Sequence, residues 1–177
     1  MSRMRIIAAL VVTIAVVLVS TVFALQIGQS APSFMLQDQF NKTWSLIGQR
    51  NSVVALVVAD RDSGRLMGPW VEKLKSSYGS KIQVLGLLDL HSVPGIGRGI
   101  AKSRIRSETK DPLMLDWRGD VAKVYTVSSK HPVVVVIDGK GVIRAIQATT
   151  FTPQACNAIS AAIDSALKPA GTQQSGQ

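Results

Sequence analysis

The sequence predicts an α/β sandwich around a mixed β-sheet, and three features carry that reading. Short β-branched apolar runs at residues 52–59 and 82–88 alternate with stretches of helical periodicity, the order that gives parallel strands joined by helices. Towards the C-terminus the pattern changes. Pro132 leads into Val133-Val-Val-Val-Ile137, an Asp138-Gly-Lys-Gly141 turn follows, and a second strand covers residues 142–148. Asp-Gly between two such runs signals a hairpin, so this pair is antiparallel. A closing helix over residues 152–167 completes the pattern.

The elements follow in order. Residues 28–38 form an extended leading segment in which Phe34 and Leu36 alternate as one strand face would. The run 52–59 lies between Arg50-Asn51 and Asp60-Arg61 and reads as a buried central strand. After a loop at 60–64, a helix over 65–78 carries Leu66, Trp70, Val71 and Leu74 as its apolar stripe, with Pro69 in its first turn or at a kink and Gly79 as its stop. A buried strand at 82–88, a loop at 94–97 and a short helix at 98–107 come next. A strand at 113–115 and a short helix at 120–125 precede the hairpin. In the closing helix Thr152 is the N-cap and Pro153 the first helical residue, with Ala155, Ile159, Ala162, Ile163 and Ala166 facing inward.

The two ends read differently. Arg3 and Arg5 precede residues 6–25, which hold no charge and only Thr13, Ser20 and Thr21 as polar side chains. This is an export signal: either a signal peptide cleaved near Val22-Phe23-Ala24 or an uncleaved N-terminal transmembrane anchor, since 20 apolar residues can cross a bilayer. Both place the domain outside the cytoplasm, in the periplasm or on the outer face of the cytoplasmic membrane. Residues 168–177, rich in Gly, Gln and Ser, read as a disordered tail. Residues 26–167 remain as the folded domain. The chain carries a formal charge of +9, of which +7 remains without Arg3 and Arg5. That charge suits an anionic membrane surface or an acidic protein. Nucleic acid is not an expected partner, because the domain is exported and has no interleaved aromatic and basic motif. A single cysteine, Cys156, excludes an internal disulfide.

Three segments in this order and spacing resemble the thioredoxin-like superfamily: Gly28-Gln-Ser-Ala-Pro32-Ser-Phe34, the run from Asp116-Trp-Arg-Gly119 to Val127, and residues 132–144. The likeness is to the redoxin branch shared by peroxiredoxins and membrane-anchored thiol-disulfide oxidoreductases, and it covers residues 28–167. It implies a three-layer sandwich with a mixed central sheet. It also implies a cis His131–Pro132 bond beside the site and a reactive cysteine after the first central strand, where a helix N-terminus stabilises a thiolate. Here Ser63 falls near the first thiol position and Leu66 near the second. A serine hydroxyl performs neither disulfide exchange nor peroxide reduction, and spacing names no base for it. No catalytic residue is therefore assigned.

The resemblance implies a groove between the 60–64 loop and Lys130-His131-Pro132, which gives Asp60, Asp62, Ser63, His131 and Pro132 as the binding residues. Asp60, Asp62 and Asp89 can equally be loop and capping acids, and His131 an ordinary loop histidine. Arg98, Lys102, Arg104 and Arg106, after the Gly95-Ile-Gly97 turn, form either an anion or partner patch or a solvated basic helix. The turn does not match a phosphate loop. Cys156 shares a helix face with Ile159 and Ile163, which suits a buried, unreactive thiol better than a nucleophile. The two histidines and one cysteine make no recognisable metal set, and no cofactor is implied. The resulting expectation is an exported thioredoxin-like domain without redox thiols that binds a protein or peptide of the cell envelope. Its alternatives are a redoxin-type oxidoreductase or peroxidase acting through Cys156, and an envelope scaffold at an anionic membrane.

Overall fold

The computed structural model describes residues 25–126 and 130–168. All of the signal or anchor segment but Leu25, and nearly all of the tail, lie outside these residues. No helix among those described is long and apolar enough to cross a membrane.

A small antiparallel hairpin comes first, β1 (Met35–Gln37) with β2 (Thr43–Ser45). The main elements follow as β3 (Val53–Asp60), α1 (Gly68–Tyr78), β4 (Ile82–Asp89), α2 (Arg98–Glu108), β5 (Leu113–Asp116), α3 (Asp120–Thr126), β6 (Val133–Ile137), β7 (Ile143–Ala148) and α4 (Pro153–Leu167). The sheet order is β5-β4-β3-β6-β7. β3, β4 and β5 run parallel, and β6 and β7 antiparallel, so the mixed sheet read from the sequence is the one observed.

The central strand shows why the sheet is covered on both faces. Side chains alternate across a strand, so an unbroken apolar run feeds two cores. Val53, Ala55, Val57 and Ala59 of β3 pack with Trp70 and Leu74 of α1 and with Ile159 and Ile163 of α4. Val54, Leu56 and Val58 pack on the other face with Phe34, Ala122 and Tyr125. The resulting layers are α1 and α4, the sheet, then α3 with the β1–β2 hairpin.

Two local outcomes differ from the sequence reading. α1 begins at Gly68, with a separate 3₁₀ turn at Gly64–Leu66, because Pro69 lacks an N–H and belongs in a first turn. The leading segment supplies the first strand of a hairpin whose second strand, β2, lies beyond it, a pairing that the alternation of Phe34 and Leu36 does not disclose. Its turn is held by the buried Asp38, whose carboxylate accepts the Phe40 and Lys42 amides and the Trp44 indole N–H at 2.8–2.9 Å. Asn41 adopts φ 68°, a conformation Asn tolerates well.

At the C-terminal turn, Asp138 plays the same part. It accepts the Lys140 and Val142 amides and pairs with Arg144 at 2.7 Å. Burial pushes its carboxyl up, but these donors outweigh that and hold it below the usual carboxylate value.

Candidate groove at the C-terminal ends of the parallel strands

β3, β4 and β5 each end in aspartate, and the register lines them up: Asp60 opposite Asp89, and Asp89 opposite Asp116. Val58 lies opposite Val133, so Pro132 and His131 reach the same end of the sheet. The fold thus brings Asp60, Asp62, Ser63, His131 and Pro132 to one end, as the resemblance implies. Their exposure divides them. Asp62 and His131 lie on the surface, whereas Ser63 and Pro132 are buried.

Ser63 is only 2% exposed, and its polar atoms are turned into its own loop. Its hydroxyl and its amide donate to Asp60 Oδ1 at 2.6 and 2.7 Å, and its Oγ accepts the Asp60 amide at 3.2 Å. This closed turn leads into the 3₁₀ turn at Gly64–Leu66. Burial raises the Asp60 pKa, but the Ser63 hydroxyl and the backbone amides of the turn overcome it, so the carboxyl stays below its ordinary value.

The expected cis bond is not present: no cis peptide bond occurs among the described residues, so His131–Pro132 is trans. A proline at a strand mouth is required only to lack an N–H donor there, and the trans isomer meets that requirement as well. Most X–Pro bonds in folded proteins are trans, and sequence position alone did not identify an exception.

The other acids are also committed locally. Asp116 is 2% exposed and accepts the amides of Arg118, Gly119, Val121 and Ala122 at 2.8–3.3 Å, capping α3. Asp89 accepts the His91 amide at 2.9 Å and faces His91 Nδ1 at 2.9 and 3.0 Å. Gly119 fits against this pair at φ 73°, where a Cβ would lie 3.1 Å from both Asp89 Oδ1 and His91 Cβ. The capping role of Asp116 was missed in the sequence. The signal was present in Asp116-Trp-Arg-Gly-Asp, an acid followed by a turn glycine just before a helix.

The basic residues of α2 serve partly as fasteners. α2 has no fully buried residue. Arg98 donates to the Trp117 carbonyl at 3.2 Å, Lys102 reaches Asn41 Oδ1, and Arg106 donates to the Gln39 carbonyl at 2.7 Å. Arg104 pairs with Glu108 on the exposed face. Buried Gln39 strengthens the same junction, donating to the Asp111 carbonyl at 2.7 Å and accepting the Leu113 amide at 2.8 Å.

Cys156 lies on the buried face of α4, 3% exposed, in the core shared with α1 and the sheet. Its sulfur has Ser160 Oγ at 4.0 Å. Native-state thiol labelling is expected to be slow and to become fast only on unfolding. Cys156→Ala should keep the fold and cost about 1 kcal/mol. Labelling as fast as that of a small thiol would contradict this placement.

No family model matches the sequence, and no curated protein does. Solved structures do match. A protein described as the thiol:disulfide interchange protein DsbE from Chlorobium tepidum is 22% identical, with a TM-score of 0.64 over 82% of this chain and 100% of that one. The exposed lipoprotein thioredoxin of Streptococcus pneumoniae strain TIGR4 is 19% identical, with a TM-score of 0.60 over 76% of this chain and 99% of that one. A thiol peroxidase from Chromobacterium violaceum is 18% identical, with a TM-score of 0.55 over 80% of this chain and 88% of that one. At these identities the likeness speaks for the backbone and not for the chemistry. The protein has the thioredoxin-like fold, and it carries a single cysteine, buried on the inner face of α4.

Proposed function

We propose that this is a thioredoxin-like domain without redox activity, placed outside the cytoplasm, that works by binding a protein or peptide of the cell envelope. The observation that carries this reading is the turn at residues 60–66. Where the resemblance calls for a thiol at a helix start, the chain has Ser63, buried and bonded to Asp60. The binding surface would be the rim above it, where Asp62 and His131 are exposed while Ser63 and Pro132 are buried. The uncharged segment 6–25 and the lipoprotein among the similar structures support the extracytoplasmic placement.

The purified protein is expected neither to reduce protein disulfides nor to consume peroxide with a thiol donor. Both reactions need an accessible thiolate. Turnover that disappears in Cys156→Ala would favour the oxidoreductase reading instead, against the burial of that thiol. The resemblance by itself implies that Ser63→Cys with Leu66→Cys restores exchange. The burial of Ser63 alters that expectation: the new thiol would lie inside the turn, so this variant should also be inactive.

A further inference from the structure

β4 has eight residues and β5 has four, and their pairing begins only at Gly86 opposite Leu113. Residues 82–85 therefore pair with β3 and, among the described residues, with no strand on their other side. An open slot of about 420 Å³ lies along that edge. Trp44 of β2, Lys75 of α1 and Pro112 stand around it. Pro112 has no N–H and cannot carry β5 backwards into the slot. Backbone groups of a strand point alternately to its two neighbours, so part of the 82–85 backbone is directed towards the slot. This is the N-terminal end of the parallel strands, opposite to the groove described above.

We propose that the slot takes an extended acidic segment of a partner protein, which adds as a short strand beside residues 82–85. An open strand edge recruits an extended chain by ladder hydrogen bonds, and the walls select its side chains. The surroundings select for acids. Lys75 lies in the wall, Lys42 Nζ sits 4.3 Å from the Trp44 ring centroid, and exposed Lys81 immediately precedes Ile82. Lys75 already holds Asp111 at 2.6 Å, an exposed pair that an incoming carboxylate can join or replace. The same lysines oppose a second copy of this chain, which would bring like charges together across the edge. The proposal does not depend on the groove reading.

Hydrogen exchange of the full chain tests it, with capped hexapeptide pools that alternate apolar residues with Asp or Glu. Exchange at residues 82–85 should slow about tenfold with the acidic pools at saturation. Pools with Lys in place of the acids, or with N-methylated backbones, should leave it unchanged. Lys75→Glu should abolish the preference for acidic over lysine pools. No protection by any acidic pool at millimolar concentration overturns the proposal. So does protection that survives N-methylation, since that contact is not a ladder. Protection that rises with protein concentration alone assigns the edge to self-association and overturns it too. Protection confined to residues 60–63 and 130–133 supports the groove and overturns the slot.

Discussion

Trp70→Ala is expected to destabilise the domain by about 4 kcal/mol, the range for a fully enclosed large aromatic. Trp70 has no exposed surface and sits between α1, the sheet and α4. Its indole N–H donates to the Thr149 carbonyl at 3.3 Å, and its ring meets Phe151 edge to face at 5.3 Å. Truncation removes the apolar contacts, leaves a cavity that close-packed neighbours fill only in part, and strands the Thr149 carbonyl. For a domain whose total stability is about 5–15 kcal/mol, this is a large share. The midpoint of thermal unfolding should fall by roughly 10–15 °C. Trp70→Phe keeps much of the volume and should lose less than half as much. Chemical denaturation of both variants checks the pair, and a loss below about 1 kcal/mol for Trp70→Ala would mean the core is not packed as described.

Asp116→Ala is expected to cost about 3 kcal/mol, through hydrogen bonds and not volume. The buried carboxylate accepts four backbone amides at the junction of β5 and α3. Alanine leaves those donors partly enclosed and without acceptors, and removes a negative charge from a helix start. Asp116→Asn retains one acceptor oxygen and should lose about half as much. Hydrogen exchange gives the diagnostic readout. Protection should fall first at residues 118–122, while β3 and β6 keep theirs until global unfolding. A uniform loss across the sheet would show that Asp116 acts on overall stability alone and not as the local cap.

These two sites differ in how far the sequence disclosed them. Trp70 stood out because Leu66, Trp70 and Leu74 repeat at helical spacing beside an apolar strand. Asp116 was read only as part of a resemblance, because an acid before a turn looks the same whether it is solvated or caps a helix. The groove is a third case. Its residues lie at one end of the sheet, since register follows from alternating strands and helices. Their orientation was not readable. Ser63 turns inward because Asp60, three positions earlier, offers an acceptor as soon as β3 ends. The basic run on α2 reads in the sequence as either a partner patch or a solvated helix face. Three of its members instead bind oxygens of loops far away in sequence, at Trp117, Asn41 and Gln39.

The sequence by itself determined the class of fold, the parallel-then-antiparallel order of the sheet, the burial of Cys156 and the lack of a thiol after the first central strand. These follow from the period of apolar residues, from turn chemistry and from composition, all of which are local. Only the tertiary structure decided that His131–Pro132 is trans, that the three strand-end aspartates are each consumed by their own turns, and that half of β4 keeps an open edge among the described residues. Those outcomes depend on which distant segments meet. Gln39, for example, holds the Asp111 carbonyl across 72 positions of sequence, and with it fixes where β5 begins. Contacts of that separation leave no periodic trace in the chain, because each partner is an ordinary polar or turn residue until the fold brings the two together.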